Sequence, residues 1–375
     1  MRNFSKSKKV VIKIGTNTLT KNNRLNVEYI ANIAGQIATI KELGYQPLLV
    51  SSGAIGFGAR EMGIDKKVKK TRLKQACAAI GQPILVHYYR TEFQKYNIHI
   101  AQVLLTKEAL DSREMYVNLK TAVEQLLEMG VVPIFNENDS VSTSEIEPYI
   151  GDNDQLSAHI ASKLDADLLI ILTDVDALYD KNPIDHPDAK PISVVEELTD
   201  EIIANAGGAG SSFATGGMKT KIMAVNIARK AGCRTVLAHG MEPDVVPRIL
   251  AGEELGTLFL ADKQKMPNKS RWILNATPKG KLTIDAGAEA AIWLKKSLLP
   301  SGLVSVEGEF SKGDVIVINN KFKAIAGSDS SSMRQIIGVH SKEIKSILGD
   351  AKRDVISRSQ EIVPIPGANT PDKSN

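Results

Sequence analysis

A short segment, Thr215–Lys221, places two glycines and two lysines at the beginning of a predicted helix. Apolar residues at Ile222, Val225 and Ala228 mark one face of that helix. Lysine in a first helical turn is electrostatically unfavourable, because the helix dipole already places partial positive charge there. A bound anion reverses this effect, and backbone N–H groups, glycines and ammonium groups together suit a polyphosphate. The spacing differs from that of a P-loop, and an ordinary glycine-rich turn with solvated lysines is an equally good interpretation of this segment alone.

Lys13 lies in the apolar run Val11–Gly15, which predicts a strand. It stands two residues before a glycine turn, at the carboxyl end of that strand, where ligands of parallel sheets bind. A lysine on the solvent-facing side of an alternating strand is the simpler interpretation. The position at the strand end nevertheless favours a functional role for Lys13.

A glycine-rich segment, Ser51–Gly58, follows another predicted strand. Its glycine order is Gly-x-x-Gly-x-Gly, which differs from the Gly-x-Gly-x-x-Gly of dinucleotide-binding folds. A hydride-transfer enzyme is therefore disfavoured. The segment could still offer N–H groups and a hydroxyl to a small ligand.

A predicted helix begins near Asp152, which forms a capping box with Gln155. This structural role accounts for Asp152. Asn153 and Asp154 are not needed for the cap, and with residues of Asn136–Asp139 they form a second polar cluster. A carboxylate among lysines can hold the ammonium groups in place and limit their mutual repulsion.

The sequence does not support hydrolytic chemistry. None of its six histidines pairs with another at metal-ligand spacing, and no serine lies in a Gly-x-Ser-x-Gly motif. Glycine turns, lysines and isolated acids suit phosphoryl transfer, which needs positioning and charge neutralisation more than covalent chemistry. A carboxylate acceptor would already be deprotonated at neutral pH, so no general base would be required.

The elements that must position these residues alternate between short β-branched runs and helical patterns from about residue 9 to 260. This order predicts an α/β domain with a mostly parallel sheet covered by helices. Several strands end in glycine or polar clusters, which would meet at one edge of the sheet. Pro133 indicates either the beginning of its strand or an edge strand. The predicted strands are Val10–Ile14, Pro47–Ser51, Ile98–Leu105, Val131–Phe135, Leu168–Leu172 and Thr235–Ala238.

Composition predicts the number of domains and the cellular compartment of the protein. The 375 residues, 43% of them apolar, suffice for two domains, and a net charge of +4 does not by itself call for nucleic acid. We expect domains over residues 1–262 and 275–355, the second small and β-rich, a linker over 263–274, and a disordered tail over 356–375. Two cysteines far apart in sequence indicate buried thiols. Without a long apolar run, we expect a cytoplasmic protein that does not enter membranes.

Taken together, the motifs resemble the glutamate 5-kinases, a branch of the amino-acid kinase family, over almost the whole chain. Each motif is weak, but their order and spacing are jointly specific. The region from about 275 to 355, with Gly308–Asp314, resembles a PUA domain, whose presence separates this branch from acetylglutamate kinases and aspartokinases. The motifs are Lys13–Thr16, Ser51–Ile55, Asn136–Asp139, Gly151–Asp154, Leu172–Asp174 and Thr215–Lys221.

The resemblance implies ATP-dependent phosphorylation of the γ-carboxylate of L-glutamate, the first step of proline synthesis. It implies that Mg²⁺ bridges the phosphates and is held largely by ATP, without a protein metal site. It also implies a homo-oligomer, a dimer or tetramer, inhibited by proline. The implied catalytic residues are Lys13, Lys221 and Asp154. Those implied for substrate binding are Ser52, Asp139, Asn153 and Asn136; those for nucleotide binding are Lys13, Thr173, Asp174, Thr215, Gly216, Gly217, Met218, Lys219, Thr220 and Lys221.

Small departures and two alternatives accompany this interpretation. Ala177-Leu178-Tyr179 stands where the family usually has glycine before leucine, and the Glu145–Ile150 connection is slightly long. A kinase for acetylglutamate or another small acid is the first alternative, although Asp139 could pair with the ammonium group of free glutamate. RNA binding by the PUA-like domain is the second. It is not expected, because the basic residues there do not alternate with aromatic ones.

Overall fold

The computed structural model describes residues 2–21, 24–66, 68–141, 153–183, 185–205, 217–340, 343–349 and 355–368. The chain divides into two compact units, Met1–Met266 and Pro267–Asn375. Each unit has its own apolar clusters. Among the described residues, every helix is too short or too polar to cross a membrane.

The first unit alternates strands and helices along the chain. Its strands are β1 Lys9–Ile14, β2 Thr20–Lys21, β3 Arg24–Leu25, β4 Gln46–Val50, β5 Ile100–Leu105, β6 Val132–Glu137, β7 Leu168–Thr173, β8 Leu178–Tyr179, β9 Pro191–Ile192, β10 Val194–Val195, β11 Arg234–His239 and β12 Thr257–Phe259. Its helices are α1 Thr16–Leu19, α2 Val27–Glu42, α3 Ala54–Glu61, α4 Thr71–Gln94, α5 Lys107–Asp111, α6 Arg113–Glu128, α7 Asn153–Lys163, α8 Asp200–Asn205, α9 Met218–Lys230 and α10 Val245–Leu250.

Eight strands form one sheet in the order β10-β12-β11-β7-β1-β4-β6-β5. From β11 to β5 all neighbours are parallel, while β12 runs antiparallel to β11. The prediction of an α/β domain with a mostly parallel sheet is therefore confirmed. Pro133 is the second residue of β6, as one alternative predicted, but the other alternative is wrong, because β6 lies between β4 and β5. Pairing with β4 begins at Ile134, just beyond the proline.

The central strands β1, β4, β6, β7 and β11 are buried on both faces, as near-continuous apolar strands require. Along β1, Val10, Ile12 and Ile14 belong to the apolar layer shared with α2 and α10. Val11 belongs to the opposite layer, which α7 and α9 cover. Since strand side chains alternate, Lys13 points toward that second layer.

Two helices that follow β4, α3 and α4, approach each other closely at glycines. A Cβ at Gly58 would lie 1.8 Å from the Cys77 carbonyl oxygen, and one at Gly81 would lie 1.9 Å from that of Ala54. Only a residue without a side chain fits at either position. The contact fixes α4 against the beginning of α3, next to the end of β4.

The second unit contains a five-stranded sheet in the order β14-β13-β15-β16-β17. One apolar cluster includes Leu282, Ile316 and Phe322, and another includes Ile273 and Val363. Its strands are β13 Gly280–Ile284, β14 Leu303–Glu307, β15 Val315–Ile318, β16 Phe322–Ile325 and β17 Ile362–Pro364. Its helices are α11 Asn268–Asn275, α12 Ala286–Trp293, α13 Ser330–Gln335 and α14 Ile344–Leu348, with short 3₁₀ turns at Pro300–Gly302 and Ser359–Glu361.

Two segments of this unit differ from the sequence prediction. Most of the expected linker, 263–274, belongs to α11, which buries Ile273 against Val315 and Ile325. Part of the tail expected to be disordered from residue 356 forms β17, which pairs antiparallel with β16. Both predictions were based on the composition of the segments alone. They could not include the apolar contacts that each segment makes with β16 and its neighbours. Residues 369–375 lie outside the described residues.

Candidate active site

A buried carboxylate joins two lysines at the carboxyl edge of the large sheet. Asp154 is fully buried, and its Oδ1 lies 2.5 Å from Lys13 Nζ. Its Oδ2 lies 3.1 Å from Lys221 Nζ. Both lysines are also buried, at 4% and 6% exposure. The interpretation of Lys13 as a solvent-facing residue is therefore wrong, and all three residues predicted to be catalytic lie together.

Three elements carry these side chains to one point. Lys13 is the fifth residue of β1 and pairs in register with Val50 of β4 and Ile171 of β7, so it lies in the middle of the sheet. Asp154 is the second residue of α7, and Lys221 is the fourth of α9. α7 and α9 cover the same face of the sheet, which is the face toward which Lys13 points.

The beginning of α9 lies next to this carboxylate. Gly217 is the N-cap residue and gives no side-chain cap, and the first turn contains no acid. Thr220 Oγ1 lies 3.2 Å from Asp154 Oδ2 and 2.8 Å from the Gly217 carbonyl oxygen. Met218 is half-buried and Lys219 exposed. The other predicted members of this segment, Thr215 and Gly216, lie outside the described residues.

A second group of side chains surrounds Asn153, directly before Asp154. Its Nδ2 lies 2.8 Å from the Ser51 carbonyl oxygen, 2.8 Å from Ser52 Oγ and 3.0 Å from Asn136 Oδ1. These residues follow β4, end β6 and begin α7. The structure thus brings together three of the four residues predicted to bind substrate. Asp152, predicted to cap α7, lies outside the described residues.

The turn after β4 depends on a glycine and on a buried tyrosine. Gly53 has φ +96°, a left-handed conformation that side chains rarely adopt, and caps the beginning of α3. Ser51 Oγ lies 3.0 Å from the hydroxyl of Tyr89, a fully buried residue of α4. These two features hold the backbone of the turn in place and so set the position of Ser52.

A third group lies at the end of β7. Asp174 accepts hydrogen bonds from Asn17 Nδ2 at 2.7 Å and from Thr173 Oγ1 at 3.0 Å. Burial alone would raise the pKa of the Asp174 carboxyl, but these hydrogen bonds and the charge of Lys221 outweigh it, so its pKa lies below the ordinary value. Asp174 is therefore ionised at neutral pH and electrostatically coupled to the lysine of the first group.

Asp139, the fourth residue predicted to bind substrate, is half-buried two residues beyond β6. Desolvation raises the pKa of its carboxyl to about 6, although the positive charge of Lys74 acts in the opposite direction. Among the described residues, no hydrogen bond connects Asp139 to Asn153 or Ser52. A nearby cation would stabilise its ionised form.

Two side chains outside the predicted set bind predicted residues of these groups. Gln82 of α4 accepts a hydrogen bond from Asn136, and Asn17 donates to Asp174. Asn17 stands in a polar cluster after β1, so its position at a strand end was a usable signal. Gln82 lies inside a long helix, and its spacing gives no signal.

The arrangement suits the transfer of a phosphoryl group. Two ammonium groups and the first turn of a helix lie at one edge of the sheet, where negative charge of a phosphate would be stabilised. Carboxylate and amide groups beside them could bind a small polar substrate. Among the described residues there is no group of three or more potential metal-ligating His, Cys, Asp or Glu side chains.

The chain matches two known protein families. Residues 8–239 match the amino acid kinase family, and residues 280–348 match the PUA domain. The chain is 46% identical to glutamate 5-kinase of Methanosarcina barkeri over 353 residues, which cover 91% of this chain and 92% of that protein. It is 43% identical to glutamate 5-kinase of Caldanaerobacter subterraneus, with coverage of 95% and 97%.

Among solved structures, the chain is similar to carbamate kinase from Giardia lamblia bound to AMP-PNP, with a TM-score of 0.51. The likeness covers 69% of this chain and all of the other, and at 17% identity it concerns the fold alone. The family match covers more than half of the chain, and the similarity to the glutamate 5-kinases extends over nearly all of it. The chain therefore belongs to the amino acid kinase family and, within it, to the glutamate 5-kinases.

Proposed function

We propose that this protein transfers the γ-phosphoryl group of ATP to the γ-carboxylate of L-glutamate. The product is L-glutamyl 5-phosphate, as required for the first step of proline biosynthesis. The observation that carries the proposal is the contact of Lys13 and Lys221 with the two oxygens of Asp154. The similarity to glutamate 5-kinases over nearly the whole chain supports the choice of acceptor.

In this mechanism the two lysines stabilise the charge of the transferring group. Phosphoryl transfer passes through a loose transition state whose charge lies on the phosphoryl oxygens. Lys13 and Lys221 would each donate to those oxygens, while Asp154 holds both ammonium groups in fixed positions. Because Asp154 and the lysines are buried, their interaction with the phosphoryl group is screened less than it would be in water.

The amino acid would bind beside this centre, at the residues that follow β4 and β6. Ser52 and Asn153 offer polar groups, Asn136 holds Asn153, and the Asp139 carboxylate could pair with the ammonium group of glutamate. The acceptor carboxylate is ionised at neutral pH and needs no general base. The carboxylate and the phosphate are nevertheless both anions and repel each other, and the positive charge of the lysines would reduce this repulsion.

The nucleotide would occupy the edge formed by the end of β7 and the beginning of α9. Thr173, Asp174 and the predicted segment Thr215–Lys221 would hold it. Mg²⁺ would be held by the phosphate oxygens, because both oxygens of Asp154 already contact lysines. The described residues do not fit a metal cage made by the protein alone.

Hydroxylamine trapping tests the proposal directly. An acyl phosphate reacts with hydroxylamine to give a hydroxamate, which is measured by its iron complex. With ATP, we expect hydroxamate from glutamate and little or none from acetylglutamate or aspartate. A preference for acetylglutamate would contradict the substrate assignment and leave the phosphoryl-transfer chemistry standing.

ADP release measured in the same reactions distinguishes cleavage of ATP from transfer of its phosphoryl group to the γ-carboxylate. ADP formed with glutamate but without hydroxamate would indicate ATP hydrolysis or another acceptor atom. An absence of both products, in protein shown to be folded by circular dichroism, would overturn the proposed function.

We further propose that the protein is a homo-oligomer, a dimer or tetramer, and that proline inhibits it by competing with glutamate. Proline shares the α-carboxylate and a charged amino group with glutamate but lacks the acceptor carboxylate. Light scattering of the purified protein tests the assembly. Inhibition that glutamate overcomes, measured at fixed ATP, tests the competition.

A further inference from the structure

The amide groups of Asn136 and Asn153 have their orientation determined by two backbone groups. The N–H of Glu137 lies 2.9 Å from Asn136 Oδ1, so this oxygen accepts. The carbonyl oxygen of Ser51 lies 2.8 Å from Asn153 Nδ2, so this nitrogen donates. Because a backbone N–H can only donate and a carbonyl can only accept, neither amide can turn over without losing a hydrogen bond.

The hydrogens of Asn153 Nδ2 are used within the protein. Besides the Ser51 carbonyl, Ser52 Oγ and Asn136 Oδ1 lie within 3.0 Å of Nδ2. An amide nitrogen has two hydrogens, and three acceptors already surround it. The part of this amide that can serve a ligand is therefore its carbonyl oxygen, Oδ1. Ser52 accepts from Asn153 and so keeps its own hydroxyl hydrogen for a ligand acceptor.

Gln82 supplies the remaining partner of Asn136. Since Asn136 Oδ1 is bound to the Glu137 N–H, its Nδ2 needs an acceptor, and Gln82 Oε1 lies 2.8 Å away. Asn136 is 2% exposed and Gln82 8%, so water has little access to replace this bond. Without Gln82, Asn136 would keep a buried, unsatisfied donor or rotate away from Asn153.

The backbone holds Gln82 in the position that this contact needs. Gly81, its neighbour in α4, lies against the carbonyl of Ala54 so closely that no Cβ would fit. Ala54 follows the turn that carries Ser52. The helix bearing Gln82 and the turn bearing Ser52 are thus fixed to each other by direct backbone contact. This contact also fixes the distance that the side chains between them must span.

We propose that Gln82 is a positioning residue that determines substrate selectivity. Through Asn136 it keeps the carbonyl oxygen of Asn153 available to the substrate, so that the site favours an amino acid with a free ammonium group. An ammonium group donates to Oδ1, whereas an acid that lacks this group leaves Oδ1 unsatisfied. This inference rests on the proposed function and specifies how its substrate is recognised.

Three variants test the role of Gln82. Gln82→Met removes the acceptor at similar volume, and Gln82→Glu keeps an acceptor. Gln36→Met is the matched control, because Gln36 is a buried amide of α2 that accepts from the Val246 N–H, away from the site. For each we would measure kcat and KM with glutamate and with glutarate, which lacks the ammonium group, together with KM for ATP and the melting temperature.

We expect Gln82→Met to raise KM for glutamate about tenfold, the size of one lost buried hydrogen bond. KM for ATP and kinetics with glutarate should change little, so selectivity for glutamate over glutarate falls by the same factor. Gln82→Glu should recover most of the affinity, and Gln36→Met should leave the ratio unchanged. The ratio is independent of the folded fraction, and Gln82→Leu replaces the methionine variant if that one does not fold.

The results separate the role of Gln82 from the proposed function. Wild-type protein inactive toward glutamate would overturn both. An active wild type with an unchanged selectivity ratio in Gln82→Met would overturn only the role of Gln82. That role would also be overturned if glutamate and glutarate lose equally, or if Gln82→Glu is as impaired as Gln82→Met.

Discussion

Lys13 and Lys221 contact opposite oxygens of one buried carboxylate, although one belongs to the first strand of the sheet and the other to a helix more than half the chain away. Asp154 therefore sets the distance between two ammonium groups that no local structure connects. A change in any one of the three residues is expected to move the other two.

Replacing Lys221 by methionine should abolish most of the turnover while keeping the fold. Methionine preserves the buried aliphatic chain but removes a charge placed where phosphoryl charge develops, so we expect kcat to fall by about 10²–10³-fold. A coupled assay of ADP release measures this. Lys263→Met, at an exposed lysine outside the site, is the control and should behave as wild type. Equal losses of activity and of folded protein would show that Lys221 acts in packing.

Asp154→Asn should lower stability as well as activity. The substitution keeps the shape of the side chain but leaves two buried ammonium groups without their shared carboxylate. Removal of one partner from a buried ion pair costs about 3–5 kcal/mol of unfolding free energy. Urea denaturation measures this loss. The double variant Lys13→Met/Asp154→Asn is the comparison, and it should lose less unfolding free energy for each charge removed than Asp154→Asn alone. A stable Asn variant would contradict the account of this carboxylate.

Glutamate binding should strengthen as pH rises through about 6. Desolvation raises the pKa of Asp139 to about 6, against the opposing charge of Lys74, so the carboxyl is neutral below that pH and ionised above it. Only the ionised form pairs with the substrate ammonium group. We therefore expect KM for glutamate to fall as pH rises through this pKa, with KM for ATP unaffected.

The same titration has the opposite sign for stability. Because the pKa of Asp139 is raised on folding, this residue adds to the free energy of unfolding at low pH. That addition is lost as pH rises through about 6. Asp139→Asn should remove the pH dependence of KM and hold it near the low-pH value. A wild-type KM that is flat across this range would contradict a role for Asp139 in binding the ammonium group.

Alanine at two glycines of α3 should have opposite effects on stability. Gly58→Ala places a Cβ 1.8 Å from the Cys77 carbonyl oxygen and must separate α3 from α4, at a cost of roughly 1–3 kcal/mol or more. Gly56 lies on the exposed side of the same helix with nothing within 4 Å, so Gly56→Ala should stabilise by about 0.5–1 kcal/mol. Thermal denaturation of both variants checks the pair. Similar effects of the two substitutions would show that α3 and α4 are not in close contact.

The centre of the sheet could be predicted because its strands are buried on both faces. Each of these predicted strands is a mostly apolar run, and β1, β4 and β7 begin and end within one residue of the predicted limits. The site residues at strand ends were visible for the same reason, since a polar side chain directly after a buried strand is conspicuous. The grouping of Lys13 with Asp154 was implied by the family resemblance, because Asp154 begins a helix and parallel topology brings only the carboxyl ends of strands to one edge.

The contacts that the sequence did not reveal are those made between distant elements. Gln82 looks like an ordinary helical residue until α4 is placed beside the end of β6, and only then does it meet Asn136. β12, with three residues, is too short for a periodic signal and exists through pairing with β11. α11 and β17 likewise owe their structure to apolar neighbours rather than to their own composition.

The second unit reaches beyond the part of the chain that matches the PUA domain, residues 280–348. α11 precedes that range and β17 follows it, and together they cover Val315 and Ile325. A gene fragment cut at the family limits would leave those side chains in water and the edge of β16 open to pairing with other chains, a setting in which aggregation is expected. A fragment that spans the whole unit, Pro267–Asn375, keeps both elements in place.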